Sequence, residues 1–86
     1  MLSIEDRIKE VAGEHYEWLL NQYRWFVYTD DFEQNYEYAD NFRFADTSNP
    51  EQMDKLERQY GCCGSASWTF KHPSGKYYLM AWNYGH

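Results

Sequence analysis

The sequence predicts an α+β fold: a small single domain with an N-terminal helix, an antiparallel sheet of about four or five strands, a second short helix and a C-terminal β-hairpin. Three observations carry this expectation. Apolar residues recur at helical spacing near the N-terminus and again after Asn49-Pro50. The segments between and after those stretches switch to clustered aromatics with fragments of period-2 alternation. A His72-Pro73-Ser74-Gly75 turn then divides two such runs. With 86 residues, the chain is expected to form one domain, residues 1–86.

The first helix is expected over residues 3–23. Ser3 with Asp6 resembles a capping box, and Glu5 and Asp6 fall in the first turn, where the helix dipole favours carboxylates. Ile4, Ile8, Val11, His15 and Leu19 share one helical face, while Asp6, Glu10, Glu14 and Glu17 line nearly the opposite one. Gly13 costs about 1 kcal/mol relative to Ala and allows a kink or a stop there, but one helix is read through it.

From Arg24 to Ala45 the aromatic and β-branched clusters predict strands near 24–29, 34–39 and 42–46, with Asp30-Asp31 and Asp40-Asn41 as turns. One bulged strand over residues 36–45 is the alternative for the last two. Asn49-Pro50 opens the second helix, Met53, Leu56 and Tyr60 form its apolar stripe, and Gly61 ends it. Glu51 with Lys55, and Asp54 with Arg58, stand at supporting i,i+4 spacing. Residues 66–71 and 76–82 complete the hairpin, with Trp68 and Phe70 on one face. The expected layering puts the helices against one face of the sheet.

Composition bounds the function. Aromatics make up 21 % of the chain, with nine Tyr, five Phe and four Trp, and Tyr and Trp are the types enriched at interface centres. Cys62 and Cys63 are adjacent and cannot form a long-range bridge, which fits a reducing compartment. The N-terminal residues lack the pattern of a signal peptide and no long apolar run occurs, so a cytoplasmic location is expected. The net charge of −6 is uneven: residues 30–57 hold nine acids against Arg43 and Lys55, whereas from Arg58 to His86 there is no acid.

No constellation of residues fits catalysis or metal binding. Cys62 and Cys63 with His72 and His86 lack the spacing that lets two thiolates converge on zinc. Cys63 with His72 has no orienting third group, and residues 61–64 lack the lysine of a phosphate loop. His15, on the apolar face of the first helix, reads as a hydrogen-bonded core residue. No enzyme activity, cofactor or metal is therefore expected.

The strongest candidate is the acidic stretch interleaved with tyrosines: Tyr28, Asp30, Asp31, Glu33, Tyr36, Glu37, Tyr38, Asp40 and Asp46. Carboxylates at strand spacing of about 6.7 Å for alternate residues can imitate a phosphate track of about 3.4 Å per step. The expected function is inhibition of a larger basic protein, a nucleic-acid-binding enzyme or complex, by occupying its basic surface. Anti-CRISPR and other phage counter-defence proteins, and immunity proteins against nuclease toxins, use that physical strategy; no motif here places the chain among them. Direct nucleic-acid binding is not expected, because the Lys and aromatics of the hairpin sit beside an excess of carboxylates, and with no long apolar run no membrane partner is expected either. Two alternatives are a nucleotide-binding sponge or small enzyme with an aromatic pocket, and a homo-oligomeric assembly subunit, such as a homodimer, that pairs through an exposed strand edge.

Overall fold

A computed structural model describes residues 3–29, 42–60 and 65–83. Its architecture is α+β, with helices α1 (Ile4–Ala12), α2 (Tyr16–Thr29) and α3 (Pro50–Tyr60), and strands β1 (Arg43–Asp46), β2 (Ser65–Lys71) and β3 (Tyr77–Asn83). A 3-10 turn, Gly13–His15, joins α1 to α2. Among the described residues there are three strands, in the order β1-β3-β2 and antiparallel throughout, rather than four or five. The strand expected at 34–39 lies outside the described residues, as do the turns at Asp30-Asp31 and Asp40-Asn41. No described helix is long and apolar enough to cross a membrane.

Ser3 caps α1 as its sequence predicts, its hydroxyl accepting from the Asp6 N–H at 3.1 Å. The helix stops at Gly13, which adopts φ 54° and ψ −116° and gives its N–H to the Lys9 carbonyl. Open space surrounds the missing Cβ, so it is the backbone conformation that calls for glycine. The single helix expected over 3–23 is therefore a helical hairpin. Arg24 Nη2 lies 3.8 Å from Glu5 Oε1, whereas a continuous helix would hold these residues about 28 Å apart.

The expected strand at 24–29 is also corrected, because these residues form the last turns of α2. Leu19, Leu20, Tyr23, Phe26 and Val27 are all buried and recur at helical spacing, so helix buries one continuous stripe where a strand would divide it between two faces. Phe26 meets Phe70 edge-on at 6.0 Å and lies 5.8 Å from Trp82 and 5.1 Å from Trp68.

Both faces of the sheet are covered, which departs from the expected one-sided layering. Phe44, Phe70, Tyr78, Met80 and Trp82 pack with Ile8, Ala12 and the α2 stripe on one side. On the other, Ala45 and Ala81 pack with Leu56, flanked by Met53, Tyr60 and Leu79. Adjacent residues Phe44 and Ala45 point to opposite faces, so β1 serves both cores. α3 begins as expected: Asn49 Oδ1 accepts from the N–H groups of Glu51 and Gln52, both at 3.1 Å. The hairpin turn closes through Gly75 N–H to the His72 carbonyl (2.8 Å) and His72 N–H to the Lys76 carbonyl (2.7 Å), with Gly75 at φ 98°.

Candidate partner-binding surface

Of the residues singled out from the sequence, Tyr28 falls in the last turn of α2, where only its backbone is described. Asp30, Asp31, Glu33, Tyr36, Glu37, Tyr38 and Asp40 lie outside the described residues. Asp46 is described and is not a surface carboxylate. It sits in β1 at 7 % exposure, its Oδ1 accepting from the N–H (2.9 Å) and hydroxyl (2.7 Å) of Ser48, its Oδ2 2.8 Å from Lys76 Nζ. Burial works against its charge, but the bonds from Lys76 and Ser48 outweigh burial and hold the carboxyl below its ordinary value. Asp46 is spent on joining β1 to the start of β3, which removes it from any exposed acidic track.

The other described acids are exposed. Glu5, Asp6, Glu10, Glu14 and Glu17 line the helical hairpin, and Glu51, Asp54 and Glu57 line α3. Three large aromatics share the surface with them: Trp25 at 55 %, Trp68 at 45 % and Tyr77 at 44 % exposure. Trp25 and Tyr77 are flanked in sequence by buried residues, Phe26 and Tyr78, so alternation of facing turns them outward. Trp68 faces the helical hairpin from β2, an edge strand among the described residues.

A groove of about 430 Å³ runs past β1 between α1 and α3. Arg7, Arg43 and Lys55 line it together with Glu10 and Glu51, over a floor that includes Phe44 and Leu56. Here Phe42 O accepts from Arg7 Nη1 at 3.2 Å and Arg43 Nη1 at 3.0 Å. Phe44 is the one aromatic side chain in the lining of this groove.

Sequence reasoning missed one cluster. His15 and His72 stack with centroids 3.7 Å apart and planes within 14°, while Trp18 meets His72 edge-on at 4.7 Å. His15 Nδ1 is 2.8 Å from the Tyr78 hydroxyl, so the ring is hydrogen-bonded as expected, although it is half-buried at the edge of the core rather than within it. His72 Nδ1 accepts from Ser74 N–H at 3.0 Å, so the turn is built for a neutral ring. Desolvation and the neighbouring His15 lower the His72 pKa, against an opposing pull from Glu14. Their sequence separation hides the pair: only the fold brings the 3-10 turn against the hairpin turn. Ser74 Oγ also lies 2.9 Å from His72 Nδ1, a contact within the hairpin turn.

Among the described residues no three His, Cys, Asp or Glu side chains gather in a group able to hold a metal ion. Cys62, Cys63 and His86 lie outside those residues. Comparison with protein-family models, curated proteins and solved structures gave no match.

Proposed function

We propose that this chain is a binding protein that inhibits a larger, basic, nucleic-acid-binding protein by occupying its basic surface. The observation that carries the proposal is where the charge lies along the chain. Eight of the nine described acids are exposed, and only Asp46 is used to hold the core together. The described residues carry those nine acids against all eight bases, so residues 30–41, with five acids and no base, hold nearly all of the net charge of −6. A chain whose charge is concentrated in one acidic stretch of its sequence is suited to electrostatic steering, which accelerates encounter with a basic cleft by about 10- to 1000-fold. Exposed Trp25 supplies an aromatic anchor on the helix that leads into that segment.

The test is capture from lysate at low and high salt, with partners identified by mass. Recovery of a nucleic-acid-binding protein that is lost at high salt supports the proposal; recovery of only a small molecule, or of this chain alone, refutes it. The double substitution Asp30→Lys with Glu37→Lys should slow association with little change in dissociation. An unchanged association rate would leave those acids a solubilising role only.

The groove beside β1 favours a second reading, a small-molecule site, because its volume falls within the range of about 300–1,000 Å³ typical of ligand pockets. A rise in melting temperature with a nucleotide or small acid, lost in Lys55→Ala, would favour that reading.

A further inference from the structure

We infer that the stack of His15 on His72 is a proton-operated latch: with both rings neutral, or His15 alone charged, it seats the β-hairpin turn against the helical hairpin, and charging His72 as well releases that turn. The device is independent of the binding functions proposed above. The two rings lie face to face, with centroids 3.7 Å apart and planes within 14°. Each is half-buried, and each belongs to a different turn: His15 to the 3-10 turn after α1, His72 to the turn that joins β2 to β3. Pro73, Ser74 and Gly75 are exposed, so His72 is the side chain by which this turn is seated. Trp18, at the start of α2, meets the same ring edge-on at 4.7 Å.

The hydrogen bonds around the stack accommodate one charge and not two. His15 Nδ1 lies 2.8 Å from the Tyr78 hydroxyl, and its Nε2 lies 3.8 Å from Glu14 Oε1. A phenol hydroxyl both donates and accepts, so a charged His15 keeps this bond by donating from Nδ1, with a carboxylate beside its other nitrogen. His72 has no such provision, because its Nδ1 accepts from the Ser74 N–H at 3.0 Å. A proton added at that nitrogen sets N–H against N–H and leaves Ser74 Oγ, 2.9 Å away, to accept it. Charging His72 therefore breaks a bond that shapes the turn at the same moment as it sets two like charges face to face.

At a separation of about 4 Å, the repulsion of two unit charges sets the second protonation about 1–3 pH units below the first, the smaller figure applying in water and the larger near a protein surface. Among the described residues, the charged and titratable groups facing the stack are Glu14 on the 3-10 turn and Tyr78 on β3, with Lys76 acting on Tyr78 and itself paired to Asp46 at 2.8 Å. From α2 the facing side chain is Trp18, which carries no charge. Burial and the facing His15 both oppose charge on His72, and Glu14 favours it. The Glu14 side chain is 89 % exposed, so solvent screens its pull. Release is confined to the turn because Tyr78 and Phe70, at the two strand ends behind it, are buried in the main core.

The test is NMR titration of the full chain, following the ring protons of His15 and His72 and the indoles of Trp18 and Trp82. The two histidines should titrate in steps about 1–3 pH units apart. Ring-to-ring contacts between them, and the folded Trp18 signal, should survive the first step and be lost at the second, while Trp82 keeps its folded signal throughout. In His15→Phe, which keeps an aromatic plate and removes its charge, His72 should titrate once and about 1 pH unit or more higher than in the wild type. Circular dichroism checks that the variant folds. If it does not, His72→Phe replaces it, in which His15 titrates once and Trp18 holds its folded signal through that step. Rings that titrate independently in one step overturn the inference, as does a His72 titration unmoved in a folded His15→Phe. Loss of Trp18 in acid from a folded His72→Phe also overturns it, as does loss of Trp18 and Trp82 together in the wild type, which would be global unfolding.

Discussion

Replacing Asp46 separates a structural carboxylate from a recognition one, and the expected cost follows from its contacts. Asp46→Ala removes two bonds from Ser48 and one from Lys76. The Ser48 bonds contribute about 0.5–1 kcal/mol each. The Lys76 side chain is 40 % exposed, so solvent screening limits the ion pair to about 1 kcal/mol at most. Asp46→Ala should therefore lose about 1–3 kcal/mol at neutral pH. Asp46→Asn keeps an acceptor for Ser48 and forfeits the ion pair, a loss of about 1 kcal/mol. For a domain of this size each kcal/mol lowers the melting temperature by about 4–8 °C. Urea denaturation followed by tryptophan fluorescence gives the free energies. The pH dependence fixes the sign: the folded carboxyl lies below its ordinary 3.8, so its stabilisation is fully present above that value and lost as pH falls through the folded pKa. The gap between the wild type and Asp46→Asn should close in acid. An Asp46→Ala protein within about 0.5 kcal/mol of the wild type at neutral pH would refute the structural role.

Phe26→Ala should cost about 3–5 kcal/mol in the same assay, since this ring, 1 % exposed, ties α2 to both strands of the hairpin; a loss under about 1 kcal/mol would contradict that packing. Gly13→Ala should destabilise by about 1–3 kcal/mol, because φ 54° with ψ −116° excludes a side chain even though no atom blocks it. A neutral effect in calorimetry would show that the helical hairpin does not need that conformation. For His72, whose folded pKa lies below 6.5, acid favours the unfolded chain: stability should be unaffected above about pH 6.5 and decline as pH falls below it. NMR titration of the ring and a flatter pH profile in His72→Gln check this; a folded pKa above 6.5 would reverse the sign.

The parts of the fold legible in the sequence are those fixed by local chemistry. Ser3 and Asn49 cap their helices through their own side chains, and the Pro73-Ser74-Gly75 turn closes with the bonds its residues favour. The misreadings arose where tertiary packing decided between two periods. Trp25-Phe26-Val27-Tyr28 has the composition of a strand, but burial of Tyr23, Phe26 and Val27 alongside Leu19 and Leu20 on one stripe makes it helix. The position of the chain reversal was visible in Gly13; its sharpness was not, because the same glycine is compatible with a kink. At the candidate site, composition could show that carboxylates abound but not which ones the fold consumes. Asp46 is distinguished by Lys76, distant in sequence and near only across the sheet.

The central position of β3 also orders events in time. Among the described residues β1 and β2 each pair only with β3, yet β3 follows both along the chain. During synthesis the helical hairpin can form as soon as residue 29 emerges, whereas β1 must wait until its partners, residues 78–81, have left the ribosome. At about 5–20 residues per second, the interval between emergence of Asp46 and Ala81 lasts about 2–7 s. Through that interval Phe42 and Phe44, fully or nearly buried in the finished protein, have no sheet to enter. The nascent chain is then most exposed to chaperones and proteases, and codon choice across residues 47–83 should affect yield more than choice across the helical hairpin.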